Sequence, residues 1–333
     1  MNKHSLSSTA AILMLIVSLA MSASAQTLLA SVPVPSNDCC QVAVNVALNK
    51  IYVSGGYSGG QDVFEIDGTT FTGSDVGTGS TVAVDIKNDN YWAATVYGGS
   101  AVVRKGSDNS TLATINLGDC PVNTAFDCKS RRVWVGAQCG GGNDPLYELD
   151  ADKFTVVAGP IGSGGVLGET VVNPSTGRIY MTLWHNGGSR RINPKTLAVT
   201  TNAFGTVESV NPVTSKLYAI SDTTLQIING KPDPETITAS VNLGYSPSYM
   251  GVNNALGHLY VSNPDTAQLE IRNSTNGSLI TSLSLGAGVT PEGIAVDSTR
   301  GRVYIGGSSS SGNFLYAIED LSTARKCLAA GTC

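Results

Sequence analysis

One spacing rule runs through nearly the whole chain. An Asn or Asp recurs at Asn45, Asp85, Asp127, Asn173, Asn211, Asn253 and Asp297, at intervals of 40, 42, 46, 38, 42 and 44 residues. Seven residues after each stands an aromatic: Tyr52, Trp92, Trp134, Tyr180, Tyr218, Tyr260 and Tyr304. The chain holds only twelve Tyr and three Trp, so seven repeats obeying the rule are not chance. A period near forty residues is the mark of stacked repeat units. Within each unit an apolar run such as Val42-Ala43-Val44 leads into the anchor Asn or Asp. Four residues past the anchors come Asn49, Asp89, Arg131, Gly177, Ser215, Gly257 and Gly301. Most of these types tolerate the positive φ of a tight hairpin. The anchor side chain is expected to bond turn backbone groups, as Asn and Asp commonly do. A third strand (Asp62 to Ile66, Leu269 to Arg272, Phe314 to Ile318) and a fourth (Leu279 to Leu285) follow.

Four strands per unit of about forty residues predict an all-β, seven-bladed β-propeller with four-stranded antiparallel blades. The last repeat runs out after its third strand at Ile318, while Leu28 to Pro33 is a spare strand ahead of the first. That N-terminal strand is expected to complete the seventh blade and close the ring.

The stretches VAVNVALNKIYVSG (Val42 to Gly55), YMGVNNALGHLYVSN (Tyr249 to Asn263) and GIAVDSTRGRVYIGG (Gly293 to Gly307) resemble YVTN-family β-propeller repeats. They are similar also to NHL and SMP-30-like propellers. The resemblance covers essentially the whole mature chain and implies the propeller fold. It spans enzymes, subunits and binding proteins, so it implies no single function.

The N-terminus reads as an export signal. Lys3 and His4 precede an apolar run from Ala10 to Ala20, and Ala23-Ser24-Ala25 offers a cleavage site before Gln26. The run is too short to span a bilayer. The expected organisation is therefore residues 1–25 signal peptide, 26–320 propeller and 321–333 a tail with two cysteines. The mature protein is expected to be secreted or periplasmic, a monomer without a membrane span. The formal net charge of −5 becomes −6 once Lys3 leaves with the signal. Basic residues are scattered, with Arg104-Lys105, Arg131-Arg132, Arg190-Arg191 and Arg325-Lys326 as isolated doublets and no clustered basic face, which sets nucleic acid aside.

In a propeller the first strand of each blade lines the channel. The loops entering that strand and those joining second and third strands share one face, here called the upper face. Tyr57, Tyr97, Glu169, His185, Glu208, Tyr249 and Glu292 fall on it, as do Cys39, Cys40, Cys120, Cys139 and Tyr245. This face is the candidate ligand-binding face. Glu169, Glu208 and Glu292 stand three to five residues ahead of their anchors, so they are candidates to ring the channel mouth. The SMP-30-like resemblance implies a divalent cation held there, with Glu169 and Glu208 as ligands. His258 reads as a surface turn residue, and no two histidines have ligand spacing. Export favours disulfides. Cys120 with Cys139 and Cys327 with Cys333 are the expected bridges, Cys128 is left over, and the adjacent Cys39 and Cys40 stand open between a structural and a redox or soft-metal role.

No Gly-x-Ser-x-Gly turn and no phosphate-cradling glycine loop leads into a helical pattern, as a nucleophile elbow or a P-loop requires. The sequence thus favours a non-catalytic binding propeller that takes a protein, glycan or small molecule. The alternatives are a metal-dependent hydrolase or lactonase and an accessory subunit of a periplasmic redox complex.

Overall fold

The computed structural model describes residues 26–35, 40–55, 62–118, 120–138, 143–184 and 188–320. These form seven four-stranded antiparallel sheets and no helix. Blade 1 runs Gln41–Asn45, Lys50–Ser54, Asp62–Asp67 and Gly73–Thr78, in that spatial order, and blades 2 to 6 repeat the pattern. Blade 7 runs Thr290–Asp297, Arg302–Ser309 and Gly312–Asp320, and its fourth place is filled by Gln26–Val34. The register Gln26↔Asp320 to Val34↔Asn313 closes the ring as expected. First strands of consecutive blades touch one another around the axis, the last touching the first. No helix among the described residues is long and apolar enough to cross a membrane.

The local rule behind each hairpin is visible at every anchor. All seven anchor side chains are buried and accept hydrogen bonds from turn amides, for example Ala47 N and Leu48 N to Asn45 Oδ1 at 3.1 and 3.2 Å. All seven residues four places on adopt positive φ, between 55° and 71°. An amide-rich turn buried at a blade end must satisfy its N–H groups internally, and Asn or Asp does so.

The aromatic seven residues past each anchor serves a different purpose. Each of the seven is at most 1% exposed and belongs to a core cluster shared between its own blade and the next. Trp92 joins Val133, Val135 and Leu149 of blade 3, and Trp134 joins Leu167, Ile179 and Met181 of blade 4. Tyr180, Tyr218, Tyr260, Tyr304 and Tyr52 repeat this around the ring, Tyr304 carrying it from blade 7 into blade 1. A flat blade has two apolar faces to cover, and these rings are what its neighbour inserts.

The basic residue five places past the anchor adds a polar link between blades. Lys50 Nζ donates to Gly106 O of blade 2 (2.6 Å), Arg178 Nη1 to Gly230 O of blade 5 (3.1 Å) and Arg302 Nη1 to Gly68 O of blade 1 (2.5 Å). His258 occupies this position in blade 6. It is not the free surface residue the sequence suggested. Its Nδ1 lies 2.7 Å from Asp320 Oδ2 of blade 7, and the side chain is only 11% exposed. Asp320, fully buried, also accepts from Tyr260 OH (2.6 Å) and Gln26 Nε2 (2.9 Å).

Candidate functional site

The channel-lining strands are not all regular. Those of blades 1, 2 and 6 pair residue for residue with their neighbours. The strands Val166–Asn173, Thr206–Val210 and Thr290–Asp297 slip in register between Leu167 and Thr170, between Val207 and Ser209, and between Pro291 and Ile294. Each slip contains one of the three candidate glutamates: Glu169, Glu208 and Glu292. A bulge re-aims the side chain it carries. Offsets of four, three and five residues from the anchor would put these carboxylates on opposite faces of unbroken strands. The bulges remove that obstacle. A fourth slip, in Pro121–Asp127, carries no acid.

Two of the glutamates and Tyr249 meet in one cluster. Gln41 Nε2 donates to Glu169 Oε1 at 2.8 Å and to Tyr249 OH at 3.1 Å. Gln41 belongs to blade 1, Glu169 to blade 4, and Tyr249 directly precedes the first strand of blade 6. Blades 1 and 4 stand on opposite sides of a seven-bladed ring, so these side chains meet across the axis. Burial pushes the Glu169 carboxyl above the usual range, the Gln41 bond opposing it. Glu208 is pushed up further, by burial first and then by the negative charge of Glu169. Tyr249 is raised by burial and by the charges of Glu169, Glu292 and Glu208. Glu292 itself accepts from Ser308 Oγ at 2.8 Å. All five side chains retain partial exposure, as expected for a wall facing an open channel.

Among the described residues no Lys, Arg or His forms an ion pair with Glu169 or Glu208. Two carboxyl groups near each other without a cation favour sharing a proton. The site therefore offers a hydrogen-bond donor and acceptors in ready position and gains from any positive charge placed there. Also among the described residues, no group of three or more His, Cys, Asp and Glu is arranged to hold a metal ion.

The other candidates fall differently. Tyr97 lies on the same face in the loop between the second and third strands of blade 2, 81% exposed. Tyr57, His185, Cys39, Cys139, Cys327 and Cys333 lie outside the described residues. Cys40 is 2% exposed and packs in the core between blades 7 and 1. A Cβ on Gly306 would sit 2.3 Å from Cys40 Cβ, and one on Gly293 would sit 2.4 Å from Cys40 O. Cys40, Cys120 and Cys128 each have an interaction partner, so Cys128 does not stand alone as the sequence suggested. Gln138 N donates to Cys120 O at 2.8 Å, which holds Cys120 against the residue preceding Cys139.

Sequence reasoning passed over Gln41, yet a signal was there. Gln41, Glu169 and Tyr249 all stand four residues ahead of their anchors Asn45, Asn173 and Asn253.

No family model matches the chain, and no curated protein does. Solved structures do. A chain from the crystal structure of a mitotic checkpoint complex superposes with a TM-score of 0.69 at 11% identity, covering 88% of this chain and 92% of that one. The β-propeller domain of Cps50 (Swd1) from Myceliophteria thermophila gives 0.70 at 10% identity, covering 90% and 100%. In all, 1382 solved chains match, so the likeness identifies a widely used fold and no particular activity.

Proposed function

We propose that this protein is a non-catalytic binding propeller, exported from the cytoplasm, whose upper face draws the positively charged end of a ligand into the channel mouth. The observation that carries the reading is the Glu169–Glu208 pair, both raised by burial and Glu208 also by the charge of Glu169, with no basic partner among the described residues. An arriving ammonium or guanidinium group displaces the shared proton and turns repulsion into attraction. Gln41 and Tyr249 fix the geometry, and exposed Tyr97 offers an amphipathic ring to the body of the ligand. The propeller of the mitotic checkpoint complex sits within an assembly, which supports a protein as the bearer of that charge. Disulfides at Cys120 with Cys139 and at Cys327 with Cys333 belong to the same proposal, as pins for an exported scaffold.

The test uses n-butylamine as the probe and n-butanol as its neutral counterpart. The amine is expected to bind saturably and to lose at least about tenfold in affinity, or ~1.4 kcal/mol, in Glu208→Gln. Equal binding of amine and alcohol would overturn the charge assignment. The metal-dependent hydrolase remains the second reading because Glu169 and Glu208 lie within each other's field. Turnover of a lactone or ester panel that needs added calcium, zinc or manganese, and is lost in Glu169→Gln, would favour it.

A further inference from the structure

The opposite mouth of the channel, formed by the turns between first and second strands, holds a cavity of about 610 Å³. That volume is within the ~300–1,000 Å³ of small-molecule sites. Its walls come from four consecutive blades: Ile86 of blade 2, Phe126 of blade 3, Pro174 of blade 4 and Pro212 of blade 5. The position two residues past the anchor is Lys87 in blade 2 and Lys129 in blade 3, and both line the cavity and are exposed. Neither ammonium forms an ion pair among the described residues. Lys87 feels the Asp152 carboxylate only at a distance, that group being taken up by Arg131 and Asn88.

Arg131 forms a rigid, neutralised part of the wall. Its guanidinium bonds Asp85 through two nitrogens at 2.7 and 2.5 Å and lies 5.1 Å over the Phe126 ring. Arg131 balances Asp85, the Asp152 carboxylate offsets part of the charge of Lys87, and the cavity keeps a net positive rim in a protein whose net charge is −5. The two lysines sit on one side, over blades 2 and 3, and the prolines on the other.

A largely apolar cavity with two cations on one rim that form no ion pair among the described residues is complementary to one kind of small molecule. We propose that this lower mouth is a second binding site, separate from the acidic upper mouth, for an organic carboxylate with an apolar body. The apolar part displaces water from Ile86, Phe126, Pro174 and Pro212, and the carboxylate sits between Lys87 Nζ and Lys129 Nζ. The charged contacts are at the rim, so they set selectivity for the anion and weaken with salt.

The test compares 2-naphthoate with the neutral 2-naphthylmethanol by fluorescence titration at low ionic strength. Wild-type protein is expected to bind naphthoate at least tenfold more tightly than the alcohol. The double variant Lys87→Gln/Lys129→Gln is expected to bring the two probes together while leaving the thermal midpoint unchanged. Lys87→Glu/Lys129→Glu is expected to exclude naphthoate, and Lys195→Gln, on an exposed turn elsewhere, to change nothing. The proposal is overturned by equal affinity of both probes for wild type, by an anion preference that survives the double variant, or by no saturable binding of either probe. Glu208→Gln, which acts at the other mouth, separates the two sites. It should leave naphthoate binding intact.

Discussion

Glu208 and Asp320 show how the same carboxyl group takes opposite roles. Glu208 has no ion-pair partner among the described residues, and burial together with Glu169 holds its carboxyl well above the usual range. Between that usual range and the raised value, the folded protein holds more protons than the unfolded chain. Stability therefore falls as pH rises through the window and stays reduced above it. Glu208→Gln should raise stability above the window by about 1–2 kcal/mol, the scale for relieving an uncompensated buried polar group. Thermal midpoints from roughly pH 5 to 8 check this, since the wild-type midpoint should decline more steeply than the variant's. A stabilising substitution that removes binding is what a strained site predicts. At Asp320 burial again pushes upward, but the bonds from His258, Tyr260 and Gln26 outweigh it and hold the carboxyl below the usual range. Its contribution is present above that range and is lost as pH falls through the depressed value. Asp320→Asn should cost about 1–3 kcal/mol at neutral pH, with the gap to wild type narrowing in acid, as denaturant titrations at both pH values would show.

At the scale of strands and turns, the parts legible in the sequence are those fixed by local chemistry. Asn45 to Asp297, the positive-φ places from Asn49 to Gly301 and the aromatics from Tyr52 to Tyr304 each answer a demand made within one hairpin or between neighbours. Repetition then reports that demand seven times. The bulges at Glu169, Glu208 and Glu292 are different. Nothing in Gly168-Glu169-Thr170 or Val207-Glu208-Ser209 says which residue is the extra one, because register depends on the partner strand. For the same reason His258 looked like a turn residue, its partner Asp320 lying 62 positions away. The inter-blade role of the aromatics gives a sharp contrast. Trp134→Ala should cost about 3–5 kcal/mol. Tyr97→Ala, at an exposed loop, should change stability by less than about 0.5 kcal/mol. Chemical denaturation of the two variants is the check, and comparable losses would contradict the packing assignment.

The whole molecule depends on one non-local act, the pairing of Gln26–Val34 with Gly312–Asp320. Without it blade 7 keeps three strands and an open edge, a template for association. A chain lacking residues 26–34 should lose cooperative unfolding and self-associate, as calorimetry and light scattering would show. Ring closure also creates both channel mouths, and neither could be read from sequence, since Gln41 meets Glu169 across 128 residues and the lower cavity draws on four blades. The upper mouth carries the functional account. Titration calorimetry of n-butylamine at pH 7, run in two buffers of different ionisation enthalpy, tests it most directly. Saturable binding with a proton released to buffer, both abolished in Glu208→Gln, is the predicted result. Binding without proton release, or release that persists in the variant, would contradict a ligand site built on the shared proton of Glu169 and Glu208.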